Sequence, residues 1–205
     1  MRTYVVNKIE KDFAGAGDAL WQQAEAAQID TCPWPAFSYC PDTWVRLLWS
    51  DAGVSVLFQT DEQPIGALRV GNNSDVCNDS CMEFFFSADE SSSKYMNIEV
   101  NPLTTMLVGT GTGRPDICFQ EFDANDFRIS SILTPKTWTL SYFIAFSFLR
   151  RHFSEISPVW RANFYKCGNV NVHRHFVCWN EITTPEPEFH SPQCFGRVVF
   201  SGMDQ

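Results

Sequence analysis

The sequence predicts an all-β protein: an antiparallel two-sheet β-sandwich of jelly-roll type with one or two short helices. Three observations carry this. From residue 43 onward, short apolar runs follow one another at close spacing, with turn residues between them. Of the 205 residues 15% are aromatic, 18 of them Phe and 7 Trp, a composition suited to pleated, half-buried strands. Two neighbouring runs, residues 80–86 and 95–100, alternate with period two between apolar and polar side chains.

Taken in order, residues 1–42 read as an N-terminal extension packed on a sandwich spanning 43–200, with the whole chain, 1–205, forming one domain. The Ala-rich stretch from Asp18 to Ala27 predicts one short helix or turn on the sandwich rim, with Asp18 as its N-cap. Cys32-Pro33-Trp34-Pro35 forces an extended or turned backbone. Strands are expected at 44–49, 54–60, 80–86, 95–100, 104–108, 127–133, 138–147, 160–166 and 195–200. Asp51-Ala52-Gly53 and the glycines of 109–113 separate some of them. A helical turn is read at 148–153, and a Pro- and Glu-rich ordered loop at 183–193.

The ribbon from Asp79 to Asn101 has two chemically distinct faces. Met82, Phe84, Phe86, Met96, Ile98 and Val100 belong to one and are expected to pack a core. Cys81, Glu83, Phe85, Tyr95, Asn97, Glu99 and Asn101 belong to the other. Carboxylates, amides and aromatic rings on one surface suit a ligand rich in hydroxyl groups.

A net charge of −9 disfavours nucleic acid and anionic membrane as partners and suits a neutral ligand. No apolar run approaches the roughly 20 residues of a membrane span. The first eight residues lack the apolar centre of a signal peptide, so a cytoplasmic location is expected, or an extracytoplasmic one if a signal has been removed. For such a domain the eight cysteines are expected to be free thiols, those on strands acting as small buried hydrophobes.

An ordered set of segments carries a resemblance. It comprises Asp79–Phe86, Tyr95–Asn101, Gly111–Arg114, Trp160–Gly168, His175–Asn180, Phe189–Pro192 and Phe195-Gly196. Over roughly residues 43–200 it resembles the family 9 carbohydrate-binding modules and the DOMON-like sandwiches related to them. The resemblance implies a β-sandwich that binds sugars, often joined to xylanases or other glycoside hydrolases that break down polysaccharides. In those modules a sugar lies between two Trp rings while carboxylates and amides grip its hydroxyls. Trp179 matches one of these rings and Glu83 the neighbouring carboxylate. The position of the other ring reads Cys77 here, with Trp34, Trp44 and Phe85 as possible substitutes. The resemblance also implies structural calcium, although no helix–loop–helix calcium motif occurs.

The residues singled out for ligand binding are therefore Glu83, Asn97, Glu99, Arg114, Lys166 and Trp179. Glu83, Asn97 and Glu99 would bond hydroxyls, Arg114 and Lys166 would orient the carboxylates or donate directly, and Trp179 would stack. Each has a structural alternative: the acids as buried partners of Arg114 or Lys166, and Trp179 as core filling. Glu83 and Glu99 could instead be the carboxylate pair of a small glycoside hydrolase, and a sugar site that has decayed into an interaction surface is a third reading. No catalytic residue and no metal ligand is assigned. Cys167, His173, His175 and Cys178 are of zinc-binding type, but their spacing matches no standard finger or ribbon. The Gly109–Arg114 run lacks the following helix a phosphate site would need.

Overall fold

The computed structural model describes residues 1–204. Its strands are β1 (Thr3–Lys8), β2 (Ala27–Gln28), β3 (Thr43–Ser50), β4 (Gly53–Thr60), β5 (Ser80–Ser87), β6 (Tyr95–Val100) and β7 (Met106–Gly111). They continue as β8 (Cys118–Phe119), β9 (Phe127–Leu133), β10 (Trp138–Ala145), β11 (Val159–Gly168), β12 (His175–Cys178) and β13 (Gly196–Phe200). The one α-helical turn, α1, is Phe146–Leu149. No helix is long and apolar enough to cross a membrane.

One sheet runs β8-β7-β6-β5-β11-β13-β1, and the other β1-β3-β4-β10-β9. The strand β1 belongs to both. Its first four residues, Thr3–Val6, pair with β13, and Asn7-Lys8 pairs with β3. Both pairings are parallel, so the sandwich is mixed rather than purely antiparallel. The chain enters between the two sheets, and the segment read as an outlying extension supplies the seam that joins them.

Between the sheets lies the main core. Phe84 stacks on Phe164 with ring centres 4.8 Å apart, and Phe86 stacks on Trp160 at the same separation. From the facing sheet come Val45, Leu47, Val56, Phe58, Leu140 and Tyr142. Each such side chain, removed from water, contributes roughly 1.5–3 kcal/mol of transfer free energy. The alternation read for the ribbon holds: Met82, Phe84, Phe86, Met96, Ile98 and Val100 all face this core.

The outer faces are covered as well. Leu48 and Leu57 pack beneath Ile9, Ala14, Trp21 and Ala24. Asp18 does cap its turn, accepting the Leu20 N–H at 3.1 Å, and the short helix or turn expected here is a 3-10 helix, Ala19–Gln23. Trp21 turns inward and Ala27-Gln28 is drawn onto β3, which leaves no length for further helix. On the other side a second apolar cluster joins Trp34, Phe85, Tyr95, Tyr165, Ile182, Phe189 and Phe195. Here the 179–195 loop and the 32–40 loop lie over the first sheet as a third layer. The expectation of free thiols fails at one pair, since Cys32 and Cys40 are disulfide-bonded across the Pro33-Trp34-Pro35 turn that brings them together. The other six are free, and Cys81, Cys167 and Cys178 are buried as expected of small hydrophobes.

Candidate functional site

Between the outer face of the first sheet and its covering loops lies a cavity of about 590 Å³. Glu83, Phe85, Asn97, Glu99, Leu107 and Cys167 form its floor. Phe37, Phe176 and Phe189 form aromatic walls, and Asp75, Cys77, Arg114, Arg174, Glu186 and His190 are among the remaining lining residues.

Pairing register builds the floor. Glu83 on β5 stands directly opposite Glu99 on β6, and Cys167 on β11 directly opposite Cys81. Asn97 donates from Nδ2 to Glu99 Oε1 at 3.0 Å, and the Cys167 thiol donates to Glu83 Oε1 at 3.0 Å. Beside Asn97, β7 carries Gly109, where a Cβ would lie 2.5 Å from Asn97 Oδ1, so a glycine is required for the amide to sit flat on the floor. Glu83 is 2% exposed and Glu99 5%. Burial lifts the Glu83 carboxyl up to about 7. Burial, and then the facing Glu83, raise Glu99 well above the usual carboxylate range.

The walls come from loops. The disulfide loop carries Phe37, whose ring meets Phe176 edge-on at 5.0 Å. The Arg174 guanidinium lies over both rings, 4.9 Å from Phe37 and 5.2 Å from Phe176. Phe189 stacks on Tyr165 at 4.2 Å, and His190 Nδ1 is bonded to the Tyr95 hydroxyl at 2.7 Å. Burial, and then the nearby Arg114, hold His190 down to about 4 and hence neutral. Arg114 is engaged by Glu188 through two parallel bonds, Nε to Oε2 at 2.7 Å and Nη2 to Oε1 at 2.9 Å.

Of the six residues singled out from sequence, four therefore meet here: Glu83, Asn97, Glu99 and Arg114. Two do not. Lys166 lies opposite Met82 on the core-facing side of β11, fully buried, with Nζ 2.8 Å from Glu62 Oε2. Trp179 is in the main core, 5.3 Å from Phe164 and packed against Gly196. It follows Cys178 at the end of β12, and its N–H bonds to Phe164 O, so alternation turns it inward. The rings it was expected to supply come instead from Phe37 and Phe176. Of the possible substitutes, Phe85 lies in the cavity floor, whereas Trp34 is buried elsewhere and neither it nor Trp44 lines the cavity. Phe176 was legible in principle as the outward member of a four-residue strand; Phe37 carries no local signal.

The zinc-type set is not assembled, since Cys167 faces the cavity while His175 turns to the other face beside Lys166. Among the described residues the cluster within metal-binding reach is Cys81, Glu83 and Cys167. Two thiols do not fit calcium, which takes oxygen ligands, so this cluster is not a calcium site.

The profile of carbohydrate-binding family 9 matches residues 18–200. No curated protein matches. Among solved structures, a Bacteroides uniformis protein, described only provisionally as carbohydrate-binding, superposes with a TM-score of 0.87 at 23% identity, covering 98% of this chain and 99% of that one. A family 9 module from Caldicellulosiruptor kristjanssonii in complex with glucose gives 0.66 at 15% identity, covering 99% and 97%. A family 9 module from the same organism in complex with cellotriose gives 0.68 at 15% identity, covering 99% and 95%. At these identities the superpositions speak for the fold, while the profile, spanning most of the chain, establishes that it belongs to carbohydrate-binding family 9.

Proposed function

We propose that the chain binds a saccharide in the cavity over β5, β6 and β7, as an accessory module of polysaccharide breakdown working beside a glycoside hydrolase. The supporting observation is the pairing of a carboxylate and amide floor with phenyl walls in one enclosed space. Its volume lies within the 300–1,000 Å³ usual for small-molecule sites. Glu83, Asn97 and Glu99 accept hydroxyl protons, the remaining N–H groups of Arg114 donate, and Phe37 and Phe176 meet the apolar face of the ring. That family 9 modules from C. kristjanssonii are seen in complex with glucose and with cellotriose makes these the first ligands to try.

Calorimetry with glucose and cellotriose tests the reading. Phe176→Ala should weaken binding roughly tenfold, or about 1.4 kcal/mol. Glu83→Ala should abolish it, and Trp179→Phe should leave it unchanged. Binding by Phe176→Ala and Glu83→Ala equal to that of the wild type removes the cavity as a saccharide site. Release of reducing sugar, lost in Glu83→Gln, would replace binding by catalysis.

A further inference from the structure

The floor of the cavity has acceptors without donors. Glu99 Oε2 and Asn97 Oδ1 are buried and meet no hydrogen-bond partner. Asn97 is 1% exposed, and its one bond on the floor runs from its amide nitrogen to Glu99, leaving the oxygen turned away from that contact. Leaving a buried acceptor unmade costs on the order of 1–3 kcal/mol, more for a charged group, so such atoms await a partner.

Among the described residues, the cations of the lining are already bonded to other groups. Arg114 spends its fork on Glu188. Arg174 is at the exposed rim, lying on the Phe37 and Phe176 rings and bonded through Nε to Asn169. Lys166, the one buried lysine close to Glu83 in sequence register, points to the opposite face and is bound to Glu62. Asp75 and Glu186 add further negative charge to the lining.

From this geometry we infer that the cavity selects an amino sugar, a saccharide carrying a protonated amine, over the neutral sugar of the same shape. The inference rests on the saccharide reading above and names the class of ligand. An ammonium offers three donors and no acceptor, matching a floor made of Glu83, Glu99 and the Asn97 oxygen. A hydroxyl brings one donor together with lone pairs that a carboxylate repels. An acetamide puts a bulky carbonyl against the same acceptors. Charge-assisted bonds to carboxylate are also the stronger ones, most of all away from water. The strained ionisation of two facing carboxyls agrees with this, because a bound cation relieves what burial and mutual repulsion impose.

The test is calorimetry at neutral pH with glucosamine, galactosamine and mannosamine, each against its neutral parent and its N-acetyl derivative. At least one amino sugar should bind tenfold or more tighter than its parent, and the N-acetyl form should bind weaker than both. Glu99→Gln, whose side chain can still accept from Asn97, should lower amino-sugar affinity by a clearly larger factor than it lowers affinity for the neutral parent, so that the ratio between the two falls towards one. Glu83→Gln serves as the second variant should the first be unstable. If neutral sugars bind and no amino sugar exceeds its parent, the inference is overturned and the saccharide reading stands. If no sugar of the three classes binds, the saccharide reading falls with it.

Discussion

Replacing Glu83 by glutamine measures what the buried floor costs the fold. Burial lifts the Glu83 carboxyl from an ordinary 4.5 up to about 7, against the lowering effect of the Cys167 thiol, Lys166 and Arg114. Between those values the folded protein keeps a proton that the unfolded chain has lost, so this group makes stability fall as pH rises. Below about pH 4.5 both states are protonated and there is no penalty; above about pH 7 the penalty is complete. Each pH unit of that window is worth about 1.4 kcal/mol, so the full difference comes to about 3 kcal/mol. His175 and His190 act in the opposite sense. Burial holds both down to about 4, so the unfolded chain binds more protons between there and 6.5, and stability rises with pH across that interval. These slopes mask one another in the wild type but cancel in the difference between two proteins that share the histidines. Glutamine retains an oxygen for the Cys167 thiol and has no charge to bury. Urea unfolding of Glu83→Gln and wild type, followed by Trp fluorescence at half-unit steps, should show the variant gaining on the order of 3 kcal/mol relative to wild type from pH 4.5 to 7.5, and continuing to gain above that because the loss of Glu83 also eases the ionisation of Glu99. A difference that is constant over the window, or that shrinks, would mean that Glu83 ionises freely, and the picture of a desolvated floor would be wrong.

Trp179→Ala should cost about 3–5 kcal/mol of stability, read from the urea midpoint, because it empties a packed core site; sugar affinity in the folded fraction should be unaffected. Gly109→Ala should do the reverse: its Cβ would fall 2.5 Å from Asn97 Oδ1 and 2.8 Å from Ile117 Cγ2, pushing the amide off the floor and lowering ligand affinity in calorimetry more than it lowers the melting temperature. Opening the Cys32–Cys40 bridge, by reductant or by Cys40→Ser, should cost about 2.5 kcal/mol by loop closure and weaken binding by loosening Phe37; reductant should then have no further effect on the double Cys→Ser variant.

The parts of the site that were legible in the sequence are those governed by strand parity. Glu83, Asn97 and Glu99 were found because β5 and β6 each separate an apolar series from a polar one, and a single register places all three on one surface. The same rule, carried along β11, puts Lys166 on the side of Phe164, away from Glu83. Chemical suitability outweighed parity there, and parity was right. Trp179 failed for a related reason. Without a strand at His175–Cys178 there was no alternation to count, and Trp179 rested on its match to a stacking ring of the resembled modules. Phe37 and the Cys32–Cys40 bond lie beyond such counting, since a ring on a turn is positioned by what closes the turn.

The covering layer is the larger omission, and it changes the meaning of the acids. A polar sheet face beneath a row of apolar neighbours was expected to look onto water. Instead Trp34, Ile182, Phe189 and Phe195 close over its edges, because Phe85, Tyr95, Leu107 and Tyr165 share that face and are themselves too apolar to leave bare. The aromatic residues interleaved with the acids thus recruit the loops, and the loops in turn desolvate the acids. A surface with hydroxyl-binding groups becomes a chamber whose carboxyls resist ionisation and whose acceptors lack donors. Affinity in such a chamber depends on what the ligand donates rather than on how much area it covers. That is why the floor, more than the aromatic walls, is the place to look for this module's choice of sugar.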